Sequence, residues 1–231
     1  MLAAGDVVSY LEMCRVEAAS LQRGMNFRLG GKKSVILMNR RRGAPYADKV
    51  EEDGRVLIYE GHDVPRTSDG PSPKLKDQVA SLASGKLTQN GLFLRAVADY
   101  KSEKGPAEAV RVYEKIREGI WAFAGEFLLI DAWQETASGR AVFKFKLMVN
   151  FDEANWPQNA PADLATGRLI PTAVKLEVWA RDRGRCVKCG SRDNLHFDHV
   201  IPYSKGGSSL VAENIQLLCA RHNLSKRDHI E

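Results

Sequence analysis

Four residues in the last quarter of the chain have the types and spacing of a metal cage. Cys186 and Cys189 form a C-x2-C pair, Cys219 and His222 form a C-x2-H pair, and the whole reads C-x2-C-x29-C-x2-H. A C-x2-C turn can present both thiolates to one cation, and residues three apart on a helix share a face. Two such pairs supply the four ligands of a tetrahedral zinc site. A site closed by four protein ligands has no open position for water, so this zinc is structural and any chemistry must lie elsewhere.

Between the two pairs, Asp198 and His199 fall within a strand-like stretch, residues 195–201. A carboxylate is a hard oxygen ligand suited to Mg²⁺ or a similar divalent cation. A neighbouring neutral imidazole can take a proton from water, and the cation would offset charge building on an attacked phosphate. The pair suits phosphodiester hydrolysis, although an Asp-His dipeptide serves equally well as a buried hydrogen-bonded pair. His196 alternates with Asp198 along the strand and is a secondary candidate, while His229 lies in the tail with no assigned task.

The elements that must position these groups follow from pattern. After residues 195–201, Pro202 interrupts the strand, Gly206 and Gly207 turn the chain, and a helix is expected from Asn214 onward: strand, loop, short return segment, helix. Pro171 suits the first turn of a helix over residues 171–183. Residues 152–167, rich in proline and alanine, read as a linker.

Upstream of it, spacing predicts a helix over residues 6–23 with Asp6 as its cap, and strands over 34–38, 55–60 and 108–114. A loop is expected over 63–73, a short helix over 74–83 and a helix over 90–100. Residues 126–133 and 140–149 read as an antiparallel pair turned by TASG. Val142, Phe143, Phe145, Leu147 and Val149 mark its apolar face, and Lys144 and Lys146 mark the other. Cys14 reads as a small apolar residue of a helix. The first part is strand-dominated, and a curved or barrel-like sheet fits the pattern.

Composition agrees with a soluble globular chain of one or two domains: 231 residues, 44% hydrophobic and 27% charged. No apolar run is long enough for a membrane span, and the N-terminus is a poor signal peptide. Cysteine use favours metal ligation in a reducing, cytoplasmic setting. The net charge of +5 is uneven: residues 168–231 hold 11 Lys and Arg against 7 Asp and Glu, and residues 1–167 hold 23 against 22. A basic module suits a polyanion such as nucleic acid.

The segment 186–226, carrying CVKCG, DHVIPYSKGG and ENIQLLCARHNLSK, resembles the HNH nucleases of the ββα-metal fold. The resemblance implies that His199 is the general base and that Asp198 binds the catalytic Mg²⁺ or Mn²⁺. It implies that Asn214 braces the loop carrying His199 and that Asn223 is the cation's second protein ligand. The second zinc pair is often C-x2-C in that family and is C-x2-H here. Because His222 adjoins Asn223, an exchange of their roles stays open. Lys226 is a candidate phosphate contact, or else a solvated lysine at a helix end.

The stretches SVILMNRRRGAPYADKVEEDGRVLIYEG, KLKDQ…GKLTQNG, EAVRVYEKI and IWAFAGEFLLIDAW…GRAVFKFKL resemble, in order, the SRA domains that flip modified cytosine out of DNA. That resemblance implies a pocket in which Tyr59 stacks on the flipped base and Asp48 receives the cytosine amino hydrogen. Tyr46 is a competing pocket residue. Thr88, Gln89 and Asn90 would lie on a loop filling the gap in the duplex, and Arg40, Arg41 and Arg42 would hold phosphates. YEGHDV stands where the family has a glycine-rich continuation. The expectation is therefore an α+β protein: residues 1–151 an SRA-like curved β-barrel with helices, 152–167 a linker, and 168–231 a zinc-bearing HNH domain. It would cut double-stranded DNA containing 5-methylcytosine or 5-hydroxymethylcytosine, as a monomer or a homodimer, restricting modified foreign DNA. The alternatives are a non-catalytic reader of modified DNA and a nuclease whose first domain reads another modification.

Overall fold

The computed structural model describes residues 2–31, 33–41, 43–51, 55–66, 70–150, 170–202, 205–226 and 229–230. The expected linker, residues 152–167, lies outside them, as does Arg42.

An eight-stranded sheet forms the larger part. Its strands are β1 (Val7–Ser9), β2 (Met25–Asn26), β3 (Ser34–Met38), β4 (Lys49–Glu51), β5 (Val56–Glu60), β6 (Glu108–Arg117), β7 (Ile120–Ala137) and β8 (Arg140–Val149). The order is β2-β3-β6-β7-β8-β5-β4, with β1 joined to β7. Only β3 and β6 run parallel; the other pairings are antiparallel. Register shifts at Val112/Tyr113 and Leu129/Asp131 bend the long central strands. The expected barrel is not closed: β2 and β4 end the path without pairing with each other among the described residues.

Both faces of the sheet are covered. Helix α2 (Gln89–Lys101) seats Phe93, Ala96 and Val97 against Tyr59, Phe127, Phe145 and Leu147. Helix α1 (Tyr10–Glu17) helps cover Val35, Leu37, Tyr113 and Phe123 with Met13. Every residue of β3 and β5 is buried, the reason these strands read as short apolar runs, with only Ser34 and Glu60 polar at their ends.

Several expectations fail locally. The helix expected over 6–23 is shorter, because Val7–Ser9 pairs with β7. Ser9, not Asp6, caps it, in a capping box with Glu12. No α-helix forms over 74–83, where only a single 3-10 turn, Pro73–Leu75, appears. The β7–β8 turn is the two residues Ser138 and Gly139, both at positive φ, while Thr136 and Ala137 still pair. Lys144 does not mark a solvent face. It is 3% exposed and 2.9 Å from Glu60, beside Arg140, which lies 2.6 Å from Asp63. Alternation cannot tell water from a buried countercharge.

The C-terminal part consists of α3 (Thr172–Arg181), the antiparallel pair β9 (Leu195–His199) and β10 (Ile215–Cys219), and α4 (Ala220–Lys226). Pro171 sits at the cap of α3. The helix expected from Asn214 begins only at Ala220, since Ile215–Cys219 is the return strand. Val178, Leu195, Phe197 and Leu217 share one core with Ile116 and Ala122 of β6 and β7. Lys175 of α3 is buried 2.9 Å from Glu114 of β6, and Arg40 donates to Thr172 at 2.9 Å. The N-terminal segment adds a bridge from Asp6 to His196 of β9, whose side chains meet at 2.6 Å.

Candidate metal centre and nucleic-acid interface

Strand pairing assembles the metal cage. Cys219 ends β10 opposite Leu195, and His222 follows on the first turn of α4. Val187 donates to the Leu217 carbonyl at 3.0 Å, which lays the Cys186–Cys189 turn beside β10. The ligand atoms of Cys186, Cys189, Cys219 and His222 all lie within 4.8 Å of one another. Cys189 Sγ is 3.8 Å from Cys219 Sγ, and His222 Nδ1 is 3.4 Å from both Cys186 Sγ and Cys219 Sγ. With zinc–sulfur bonds of about 2.3 Å, a tetrahedron has sulfur–sulfur edges of about 3.8 Å, so the donor set fits zinc. Burial would push the Cys186 thiol up, yet backbone N–H groups of Cys219, Cys189 and Lys188, with the His222 ring, bring it down to about 6. A thiol so poised is ready to ligate as thiolate. Of the two neighbours, His222 is the one whose ring lies within the cluster.

Asn223 instead lines a cleft of about 520 Å³ together with Asp198, His199, His196, Asp6 and Lys175. Adjacent helical residues point about 100° apart, which lets one face zinc and the next face the cleft. His199 sits at the end of β9, and its Nε2 lies 2.7 Å from Ser209 Oγ. Ser209 is 1% exposed and was not anticipated; a serine after a glycine turn carries no distinctive signal. Asn214 ties the loop after His199 at both ends. Its Oδ1 accepts from Ile201 N at 2.8 Å, and its Nδ2 donates to the Ser208 carbonyl at 2.9 Å. A Cβ on Gly207 would lie 1.8 Å from the Ile201 carbonyl oxygen and 2.7 Å from Asn214 Nδ2, so only glycine lets the loop close this tightly.

Lys226 differs from both expectations. It is 3% exposed, with Nζ 2.8 Å from Asp198 Oδ2 and donating to the His199 carbonyl. It is buried between α4 and β9 and is not solvated. Asp198 Oδ2 is thus charge-paired yet buried without a well-directed hydrogen bond. The Asp198 carboxylate, anchored through Oδ2 by Lys226, lines the same cleft as the Asn223 amide, and hard oxygen donors of this kind fit a divalent cation.

In the sheet, Asp48 accepts from Asn39 N at 3.2 Å and Glu60 N at 3.1 Å. Burial pushes its carboxyl up to about 6 despite these N–H donors. Tyr59 is 2% exposed, and its hydroxyl lies 3.2 Å from His62 Nε2. The stacking face expected of it is therefore covered. Tyr46 is half-buried, stacked on His62 with ring centres 5.9 Å apart, and has the Lys74 ammonium 3.7 Å from its ring centre. Thr88 caps α2, and Gln89 and Asn90 open it, so these three belong to a helix start and not to a free loop. Gln89 accepts from Phe27 N, and Asn90 is 2% exposed. Arg40 is engaged by Thr172 and Arg41 by Asn39. No helix among the described residues is long and apolar enough to cross a membrane.

No curated protein matches the chain. Among solved structures, the SUVH5 SRA domain in complex with hemimethylated CG DNA is similar at 25% identity over 68% of this chain and 94% of that one, with a TM-score of 0.47. TagI, a modification-dependent restriction endonuclease, is similar at 19% identity over 98% of this chain and 78% of that one, with a TM-score of 0.41. At scores below 0.5, neither likeness decides fold or activity. A family model described as HNH endonuclease matches residues 186–229, the stretch that holds the cage, Asp198, His199, Asn214 and Asn223. The chain's similarity to the HNH endonuclease family is carried by residues 186–229.

Proposed function

We propose that the protein is a metal-dependent DNA endonuclease directed by modified cytosine. Residues 1–151 would read the base, 152–167 connect, and 168–231 cut. The observation that carries the cutting half is the convergence of Asp198, His199 and Asn223 on one cleft beside a closed Cys3His cage. Zinc in the cage would hold β10, α4 and the Cys186–Cys189 turn together. Asp198 and Asn223 would hold Mg²⁺ or Mn²⁺. That cation, when bound, would offset charge on the attacked phosphate. His199, its ring oriented by Ser209, would take the proton from water at a ring nitrogen. Asn214 keeps His199's loop in place, and Lys226 holds Asp198 from beneath.

For the reading half, Asp48, Tyr46 and Tyr59 support a pocket for a base flipped from the duplex. Asp48, ionised at neutral pH, would accept the cytosine amino hydrogen. The partner is double-stranded DNA carrying 5-methylcytosine or 5-hydroxymethylcytosine, the setting cytoplasmic, and the role restriction of modified foreign DNA. One such site cuts one strand, so double-strand cleavage would call for a homodimer or successive nicks. Timed cleavage of matched methylated, hydroxymethylated and plain duplexes, with Mg²⁺ or Mn²⁺ and then with a chelator that spares the zinc, tests this. Cleavage of modified DNA that stops reversibly with the chelator is expected; cleavage indifferent to modification would overturn it.

A further inference from the structure

We propose that His62 is a gate on the base pocket: its imidazole covers the Tyr46 ring and must leave before a flipped base is admitted. This rests on the pocket reading above. The His62 ring stacks on Tyr46 at 5.9 Å with planes 19° apart, and faces Tyr59 at 6.4 Å and 48°. Its Nε2 meets the Tyr59 hydroxyl at 3.2 Å. A flat heterocycle thus already lies stacked on Tyr46 with its polar edge at the Tyr59 hydroxyl, an arrangement that would suit a pyrimidine. This arrangement is tight from behind. A Cβ on Gly24 would lie 2.8 Å from the Tyr59 hydroxyl and 3.1 Å from His62 Nε2.

The backbone of His62 offers no way out. Its N–H donates to Asn90 Oδ1 at 2.8 Å, and its carbonyl accepts from Asn90 Nδ2 at 2.8 Å. Side-chain rotation remains. On one side His62 lines a cavity of about 570 Å³, with Arg23, Val79, Thr88, Asn90 and Leu92. The space is ample for an imidazole. Burial keeps the ring neutral, its pKa pushed down to about 4 despite Asp63, so no charge need be carried across. The measured affinity is then the intrinsic affinity reduced by the fraction of molecules with the gate open.

The test uses the full chain with divalent cation withheld. A duplex with one 5-methylcytosine, a 2-aminopurine beside it to report unstacking, and a plain control are titrated with native protein, His62→Ala and His62→Asn. His62→Asn keeps a polar partner for the Tyr59 hydroxyl and vacates most of the ring volume, should the alanine variant fail to fold. Both variants should bind the modified duplex about tenfold more tightly than native, with a faster 2-aminopurine rise. In the free variants, nitration of Tyr46 should increase. A native preference for modified DNA that is unchanged or weakened in the variants overturns the gate and leaves the pocket reading standing. A native protein without preference overturns the pocket reading, and the gate falls with it.

Discussion

Around the sheet, order comes from area: Tyr59, Phe93, Phe127 and Phe145 interlock in a core fed by residues far apart in sequence. From Cys186 onward, two short strands and a helix of seven residues would be marginal alone. There the order comes from four ligands within 4.8 Å and from the surface lent by Ile116 and Ala122. The difference teaches where each part is vulnerable. The sheet should tolerate loss of any one polar contact, whereas the small module hangs on single atoms.

The sharpest way to break this comparison is to remove one cage ligand. Cys189→Ala should abolish tight zinc binding and unfold the C-terminal module while the sheet persists, because ligation energy is folding energy in such sites. Metal analysis with proteolysis of the two parts checks it. A purified, active protein without zinc would show that the cage is dispensable.

Next comes a change confined to chemistry. His199→Ala should leave zinc content and binding of modified DNA near native and reduce hydrolysis by roughly 10²–10⁴. Asp198→Ala should also stop cleavage, through loss of the cation and with the buried Lys226 left without its countercharge. A His199→Ala protein that cuts at the native rate defeats the mechanism.

Smaller effects are expected in the reading half. Tyr46→Ala should weaken binding of modified duplex by about 1–3 kcal/mol, the range for base–aromatic stacking, and change binding of plain duplex less. Equal losses on both duplexes would place Tyr46 outside the pocket.

The smallest effect is a pH dependence. Folded Asp48 holds its proton up to about pH 6, against about 3.9 unfolded. The folded state then binds more protons, and this contribution falls as pH rises from about 4 to 6. His62 acts oppositely. Folded, it protonates only near pH 4, against about 6.5 unfolded, so its contribution rises over that window. Relative to native, Asp48→Asn should gain stability as pH rises from 4.5 to 6.5, and His62→Ala should lose it. Denaturation midpoints at the two pH values decide; slopes of the same sign for both variants would contradict the burial assigned to one of them.

The cage was readable without coordinates because both pairs are local, and C-x2-C and C-x2-H each bring two donors together whatever the rest of the chain does. The buried strands Ser34–Met38 and Val56–Glu60 were readable for a similar reason, since short apolar runs with β-branched residues, set off by turn residues, favour strand over helix. Ile215–Cys219 was not, because IQLLC has no alternation and runs straight into ARHNLSK with no turn residue to separate strand from helix. Its pairing with Leu195–His199 makes the choice. Only the tertiary structure buried Lys226 on Asp198, set Ser209 on His199, joined Asp6 to His196 across 190 residues and stacked His62 on Tyr46. Each of these depends on a partner outside any local window, where residue type and spacing carry no information about who the neighbour will be.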